Sequence, residues 1–247
     1  MNSDATIVER EREYHNLRFT EETRDAQDKY YFALRDCDAK YERLILEHAR
    51  DAVVLDYGCA KGEWALKIAP IARKVHGIDI SDVAIAAGQA EAAARGLENA
   101  HFDAMDAHQM EFPDNTFDLV FGLGIIHHLD TRKSLEEVAR VLKPGGVAIF
   151  REPLGYNFLI NLYRNATPEA RTIDEHPLVH EDERIASEVF SRSDWEFYGL
   201  ATLGSVPFRN TPLGEPLFKA AAALDRAIFT LPPMRWQAWA VLMTMVK

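Results

Sequence analysis

The chain has very little cysteine and no excess of basic charge. Only Cys37 and Cys59 occur among 247 residues, which is too few for a disulfide framework or a zinc site with four thiolates. Lys and Arg number 28 against 39 Asp and Glu, giving a formal net charge of −11, whereas general nucleic-acid binding needs a clustered cationic surface. These deficits predict a cytoplasmic protein with no nucleic-acid partner.

Long apolar runs are also missing. Residues 1–13 are polar and charged, and no stretch reaches the roughly 18 consecutive apolar residues of a membrane span. We therefore expect no signal peptide and no transmembrane helix. Internal repeats and low-complexity tracts are absent, and the composition, 47% hydrophobic and 27% charged, is that of an ordinary globular domain.

Short apolar runs alternate with helical patterns through most of the chain. The alternation implies right-handed crossovers and a parallel sheet covered by helices on both faces. We predict an α/β fold, doubly wound and Rossmann-like, with a seven-stranded, mainly parallel sheet and an antiparallel strand near the C-terminus. The predicted strands are Ala52–Asp56, Lys74–Ile80, Ala100–Asp103, Phe117–Gly122, Val147–Arg151, Trp195–Val206 and Trp236–Val246.

No linker rich in Gly, Pro or Ser divides the chain, so we expect one domain over residues 1–247. Residues 1–50 have helical patterns and are interpreted as an N-terminal helical cap. Residues 153–182 interrupt the alternation with an apolar helical piece and a polar loop. Because such loops in compact domains usually have a function, we interpret them as an insertion on the substrate side.

Acidic residues follow three of the predicted strands at the edge where parallel sheets bind ligands. The first strand ends in Asp56 and enters a turn with glycines at 58 and 62, which let the backbone approach a ligand closely. Asp79 ends the second strand, where a carboxylate can accept both hydroxyls of a ribose. Asp106 follows the third strand and is suited to accept from an exocyclic adenine amine.

With its further motifs, the segment from Val53 to Phe150 resembles the class I S-adenosylmethionine-dependent methyltransferases. The resemblance implies that S-adenosylmethionine is the cofactor, with Asp56 and the 58–62 backbone holding its methionine part, Asp79 its ribose and Asp106 its adenine. The matching pieces are Val54-Leu55-Asp56-Tyr57-Gly58-Cys59-Ala60-Lys61-Gly62, Gly77-Ile78-Asp79-Ile80-Ser81, Met105-Asp106-Ala107, residues 112–120, Ile126-His127-His128-Leu129 and residues 139–146. Assigned to the cofactor site are Asp56, Gly58, Ala60, Gly62, Asp79, Ile80, Asp106, Ala107, Gly122 and Leu123.

A dinucleotide-dependent dehydrogenase is the alternative for this glycine turn. Gly58 and Gly62 are separated by three residues, so the pattern G-x-G-x-x-G is not satisfied. The acid at 56 and the Lys-Pro-Gly-Gly turn at 143–146 also favour methyl transfer. One departure from the family is Ala60, which places a Cβ where most relatives have a glycine.

His127 and His128 follow the fourth strand and are the candidate catalytic residues. Methyl transfer requires a base only when the acceptor is still protonated at neutral pH, and histidine suits that task. Consecutive helical positions point in different directions, so we expect at most one of them to be the base. The alternative is that both are structural.

Residues outside the central motifs are candidates for binding the acceptor. Tyr14 and His15 lie in a charged segment that is either a lid over the cofactor or an amphipathic surface helix. The insertion contributes arginines suited to an acidic group on the acceptor, with ordinary helix packing as the alternative. The assigned substrate residues are Tyr14, His15, Tyr163, Arg164, Arg171 and His176.

The remaining histidines have no metal-like grouping in the sequence, and we predict no required metal. The stretch around Trp236 and Trp239 is interpreted as core or as a contact in a homodimer. We expect an enzyme that methylates a small molecule, with an oxygen acceptor favoured by the histidine pair. The alternatives are N- or C-methylation, and a catalytically silent cofactor-binding module that acts through protein partners.

Overall fold

The computed structural model of the chain describes residues 9–13, 16–17, 28–166 and 175–247. Tyr14, His15 and Arg171 lie outside these residues, and so does the side chain of Tyr163. Across the described ranges, no helix combines the length and the apolar character needed to cross a membrane.

Seven strands form one sheet in the order β3-β2-β1-β4-β5-β7-β6. β7 is antiparallel to both of its neighbours, and the other six strands run in one direction. The predicted fold class is therefore confirmed. The strands are β1 (Val53–Tyr57), β2 (Lys74–Asp79), β3 (Ala100–Ala104), β4 (Phe117–Leu123), β5 (Leu142–Pro153), β6 (Arg192–Tyr198) and β7 (Ala240–Val246).

Helices connect the strands and cover the sheet. Residues 9–13 and 16–17 are helical, and are called the N-terminal helix below. The described residues include the 3-10 helices Phe32–Leu34, Ile126–His128 and Ala201–Phe208, together with nine further α-helices. These are α1 (Asp28–Tyr31), α2 (Arg35–Ala49), α3 (Glu63–Ile68), α4 (Asp82–Arg95), α5 (Thr131–Val141), α6 (Phe158–Ala166), α7 (His180–Val189), α8 (Gly214–Ile228) and α9 (Pro232–Arg235).

The sheet has a buried apolar layer on each face, as expected for parallel strands. Val54 faces α2, α3 and α4, whereas its neighbour Leu55 faces α5 and α7. The alternation continues along β5, where Ile149 belongs to the first layer and Phe150 to the second. Both cysteines are buried and free, within the layer that contains Val54.

Two predicted strands are too long: the strand predicted from Trp236 begins only at Ala240, and the larger difference is at β6. The apolar run from Trp195 to Val206 was expected to be extended throughout, but β6 ends at Tyr198 and Ala201–Phe208 is a 3-10 helix. Gly199 adopts φ +85° at the break. The backbone N–H groups of Leu200, Ala201 and Thr202 then donate to the Asp225 carboxylate of α8. A contact 25 residues away along the chain thus overrides the local preference for a strand.

Candidate active site

The turn after β1 is folded tightly against β2. The backbone N–H groups of Gly58 and Cys59 both donate to the Ile78 carbonyl, at 2.9 and 2.8 Å. Gly58, Ala60 and Gly62 have positive φ angles of 76°, 49° and 78°. This backbone keeps the turn compact at the carboxyl edge of the sheet, where we expected the cofactor.

Position 62 requires glycine for two reasons, the positive φ angle and the closeness of the Phe102 ring. A Cβ there would lie 2.3 Å from the Phe102 ring, a separation that real side chains do not tolerate. Ala60 differs, because the structure accommodates its Cβ in a left-handed conformation at a cost of roughly 1 kcal/mol.

Asp79 joins the ends of β1 and β2. Its Oδ2 accepts from the backbone N–H of Ala60 at 2.8 Å, and its Oδ1 accepts from that of Ser81 at 2.9 Å. A carboxylate offers about four lone-pair positions, so both oxygens can still accept from a ligand. The half-buried Asp79 is therefore pre-positioned by the same backbone that forms the glycine turn.

Asp56 is buried beneath this turn and is 4% exposed. One carboxylate oxygen accepts from the backbone N–H of Ala65 at 3.0 Å. Burial is the largest cause that raises the pKa of Asp56 to about 8, and the charge of Asp79 adds to it. A cationic group placed beside Asp56 would therefore lower the pKa of this carboxyl and favour its ionised form.

Asp106 is held by a chain of hydrogen bonds. Its Oδ1 accepts from the backbone N–H of His108 at 2.8 Å and lies 2.9 Å from the ring Nδ1 of the same residue. The backbone N–H of Asp130 donates to His108 Nε2 at 3.0 Å, which assigns the proton to Nδ1. The bond from the His108 ring is the largest cause that lowers the pKa of Asp106.

The other predicted cofactor residues lie at the ends of β2, β3 and β4. Ile80 and Ala107 are half-buried, and the Ala107 carbonyl accepts from the Tyr57 hydroxyl at 2.8 Å. Gly122 is buried, with the Tyr57 carbonyl 2.7 Å from where its Cβ would stand. Leu123 is 41% exposed. The structure thus brings the predicted set to one edge of the sheet, while the role of each residue stays a prediction.

The N-terminal helix lies over this edge. The Ser81 hydroxyl donates to the Asn16 side chain at 2.6 Å. Glu11 is buried and places Oε2 3.3 Å from His128 Nδ1, and the charge of Arg12 contributes to the lowered pKa of Asp106. The described residues of this helix therefore contact the loops that follow β2 and β4, and the lid interpretation of the segment stays a prediction.

His127 forms a buried pair with Glu152, a residue of β5. Its Nδ1 lies 2.7 Å from Glu152 Oε2, and the Glu152 side chain is fully buried. Glu152 Oε1 accepts from the backbone N–H groups of Ile125 and Ile126, both at 2.9 Å. Because an ionised carboxylate only accepts, Nδ1 of His127 carries a proton in this contact, and in the neutral ring Nε2 carries the lone pair.

The two histidine rings lie together, contrary to our expectation that they face different ways. Their centroids are 4.2 Å apart, since residues 126–128 form one 3-10 turn in which neighbouring rings lean on each other. His128 lies between two acidic side chains, with Glu175 Oε1 3.7 Å from its Nε2. Burial is the largest cause that lowers the pKa of His128, which favours the neutral ring.

The predicted acceptor residues are less clearly placed. Arg164 donates to the Leu154 carbonyl at 2.9 Å and to the Asn161 side chain at 3.0 Å, so part of its guanidinium links α6 to the residue that follows β5. His176 has an exposed side chain, and its backbone N–H donates to the His127 carbonyl at 2.8 Å. This bond holds the end of the predicted insertion beside the histidine pair.

Sequence reasoning missed the three glutamates around the histidines. Glu11, Glu152 and Glu175 come from separate parts of the chain, with no spacing that relates them to residues 127 and 128. Only Glu152 carried a usable signal, because an acid near the end of an apolar strand is costly to bury without a partner.

Comparisons with known proteins agree with this architecture. Residues 54–146 match the family description of a methyltransferase domain. Demethylmenaquinone methyltransferase from Geobacillus stearothermophilus is 36% identical over 102 residues, which are 40% of this chain and 44% of that protein. Ajmaline N-methyltransferase from Rauvolfia serpentina is 33% identical over 141 residues, 56% of this chain and 44% of that protein. The chain thus spans less than half the length of these curated relatives.

A solved structure extends the likeness beyond the matched domain. Magnesium protoporphyrin IX methyltransferase from Synechocystis, solved with bound SAH, superposes with a TM-score of 0.64 at 14% identity, covering 98% of this chain and 99% of that one. At this identity the likeness concerns the fold. Residues 54–146, which hold the glycine turn and the three acids at successive strand ends, are therefore similar in sequence to a methyltransferase domain, and the likeness of the rest of the chain to solved methyltransferases concerns the fold.

Proposed function

We propose that the chain transfers a methyl group from S-adenosylmethionine to an oxygen atom of a small-molecule acceptor. The observation that carries the acceptor assignment is the buried pair of His127 and Glu152, 2.7 Å apart at the edge that holds the cofactor residues. Glu152 fixes the ring and its tautomer, so His127 Nε2 is available to accept a proton.

The residues of the turn and the strand ends fit the cofactor. Asp79 retains lone pairs for two ribose hydroxyls, and Asp56 is a buried carboxyl that an ammonium group would ionise. The exposed Leu123 offers apolar surface at the same edge. When bound, S-adenosylmethionine would supply a methyl group bonded to a sulfonium sulfur, with the thioether as the leaving group of an in-line displacement.

The protein contributes positioning and proton removal. Holding the acceptor atom at roughly 3 to 3.5 Å from the methyl carbon supplies most of the acceleration in a displacement of this kind. The acceptor O–H loses its proton to His127 Nε2 as the new O–C bond forms, and the imidazolium is stabilised by Glu152. The N-terminal helix covers the site and keeps water from it.

An amine acceptor is the second candidate. The three glutamates around the histidine pair would attract a cationic amine, and one relative is an N-methyltransferase. Glu11 and Glu175 would then hold the ammonium, and the histidines would take its proton before transfer. We favour a small molecule over a nucleic acid for either route because the net charge is −11.

The test compares His127→Gln, Glu152→Gln and the control His48→Gln, which changes an exposed imidazole of α2. Cofactor affinity is measured by calorimetry, and turnover by transfer of labelled methyl to panels of phenols, carboxylic acids and amines. The two site variants are expected to lose about 10²–10⁴-fold in turnover while cofactor affinity stays near that of the control. Full turnover by a folded His127→Gln protein would refute the base. Transfer to amines alone would select the second candidate.

A further inference from the structure

The two histidines and three glutamates form a cluster whose arrangement the methyl-transfer reaction alone does not require. Potential ligand atoms of His127, His128 and Glu175 all lie within 4.8 Å of one another. Two imidazole nitrogens and one carboxylate oxygen are a ligand set that divalent transition metals bind. We propose that His127, His128 and Glu175 form a binding site for a divalent transition-metal ion such as Zn²⁺.

A carboxylate lies beside the Nδ1 atom of each histidine ring. Glu152 lies 2.7 Å from His127 Nδ1, and Glu11 lies 3.3 Å from His128 Nδ1. Metal-binding histidines usually donate their second ring N–H to a carboxylate or carbonyl, which fixes the tautomer and makes the ligand nitrogen more basic. With Nδ1 of each ring beside a carboxylate, Nε2 is the nitrogen left to bind a metal, and His128 Nε2 is the one that lies near Glu175.

Glu175 is held where a third ligand is needed. Its Oε1 is 3.7 Å from His128 Nε2, close to the separation of about 3.3 Å that two ligands of a tetrahedral zinc ion have at bond lengths near 2.0–2.1 Å. The next residue, His176, donates its backbone N–H to the His127 carbonyl at 2.8 Å. Binding therefore requires the three ligand atoms, which lie within 4.8 Å of one another, to close to a separation of about 3.3 Å.

The charge of the cluster favours a cation. Three carboxylates surround two imidazoles, and the side chains of Glu11, His128 and Glu175 are 10%, 8% and 13% exposed. The cluster thus holds more carboxylates than imidazoles, and negative charge in a concave site attracts cations. Nitrogen ligands select zinc-like ions over Mg²⁺, which prefers oxygen.

Three protein ligands leave a coordination position open, as in catalytic rather than structural zinc sites. This part of the inference rests on the proposed function: an acceptor hydroxyl in that position would lose its proton more readily than in water. In the metal-free protein the Nε2 lone pair of His127 serves as the base, so metal content would decide which route removes the proton.

The experiment measures metal binding without cofactor or acceptor, so its result does not depend on whether the chain methylates anything. The full chain is treated with a chelator, titrated with Co²⁺ and followed by the visible d–d absorption of the bound ion. We expect one equivalent to bind and Zn²⁺, but not Mg²⁺, to displace it. His128→Gln and Glu175→Gln should each weaken binding at least tenfold, whereas the control His48→Gln should leave it unchanged.

Two results would overturn the proposal. One is the absence of saturable Co²⁺ binding by wild-type protein whose far-UV circular dichroism shows that it is folded. The other is binding that both site variants retain at wild-type affinity. Cofactor affinity measured in chelator reports separately on the proposed function, so failure of one is distinguishable from failure of the other.

Discussion

The Oδ2 atom of Asp79 accepts the backbone N–H of Ala60 at 2.8 Å, which links the end of β2 to the middle of the glycine turn. The residue expected to bind the ribose therefore also fixes the turn expected to bind the methionine part. The two expected subsites share one carboxylate, so a substitution at Asp79 should weaken cofactor binding at both.

Asp79→Ala should weaken S-adenosylmethionine binding by about 2–4 kcal/mol, because charge-assisted hydrogen bonds to the ribose are lost together with support for the turn. Asp79→Asn retains an acceptor oxygen and should fall between Ala and wild type. Calorimetric titration measures both, with Asp82→Asn, an exposed acid at the start of α4, as the control. Wild-type affinity in a folded Asp79→Ala protein would remove Asp79 from the cofactor site.

Asp56 should make the unliganded protein less stable as the pH rises. The pKa of this carboxyl is raised from its ordinary value of 3.8 to about 8 by folding, so its stabilising contribution is complete below pH 4 and is lost as the pH rises through 8. At 1.36 kcal/mol per pKa unit, this shift lowers the free energy of unfolding by at most roughly 6 kcal/mol between the two ends of that pH range. Chemical denaturation of wild type and Asp56→Asn from pH 5 to 8.5 measures it.

The sign of that comparison is specific. The amide introduced by Asp56→Asn is neutral at every pH and can still accept from the Ala65 N–H, so the variant should gain stability relative to wild type across this interval. Parallel stability curves for the two proteins would show that Asp56 does not carry the raised pKa.

Gly62→Ala should destabilise the fold by roughly 2–4 kcal/mol, because overpacking against Phe102 adds to the strain of a positive φ angle. Gly96→Ala is the matched control: its φ is +65° and its Cβ would meet nothing within 4 Å, so only about 1 kcal/mol of strain is expected. Thermal or urea unfolding measures both.

A second variant tests the contact itself. Phe102→Leu combined with Gly62→Ala should recover part of the loss caused by Gly62→Ala, since the ring that meets the new Cβ is removed. Equal destabilisation by Gly62→Ala and Gly96→Ala would show that the Phe102 ring moves aside at no cost.

The sheet and the cofactor edge could be predicted because their signals are local. Each of Asp56, Asp79 and Asp106 lies within a few residues of an apolar strand, and parallel strand ends meet at one edge. The fold class predicted from these signals is confirmed by the seven-stranded sheet. The acids that surround the histidines could not be predicted, since Glu11 and Glu175 reach His128 through tertiary packing.

The error at Ala201–Phe208 has a related cause. The run is apolar without a clear period, which fits a strand as well as an irregular segment. Asp225 stabilises the 3-10 helix by accepting hydrogen bonds from three consecutive backbone N–H groups. The sequence near residue 201 contains no signal of this contact. The prediction that His127 and His128 point in different directions was wrong for another reason. It assumed an α-helix, whereas residues 126–128 form one 3-10 turn.

The position of β7 bears on how the protein is made. Among the strands that the structure describes, β6 pairs only with β7, and β7 lies between β5 and β6. A nascent chain that has emerged only as far as β6 therefore has five paired parallel strands, an open edge at β5 and a sixth strand with no place to bind. Open strand edges attract other chains. Because β7 pairs with both strands, it covers the edge of β5 and gives β6 its place, so chaperone capture of the nascent chain should fall once residues 240–246 have appeared.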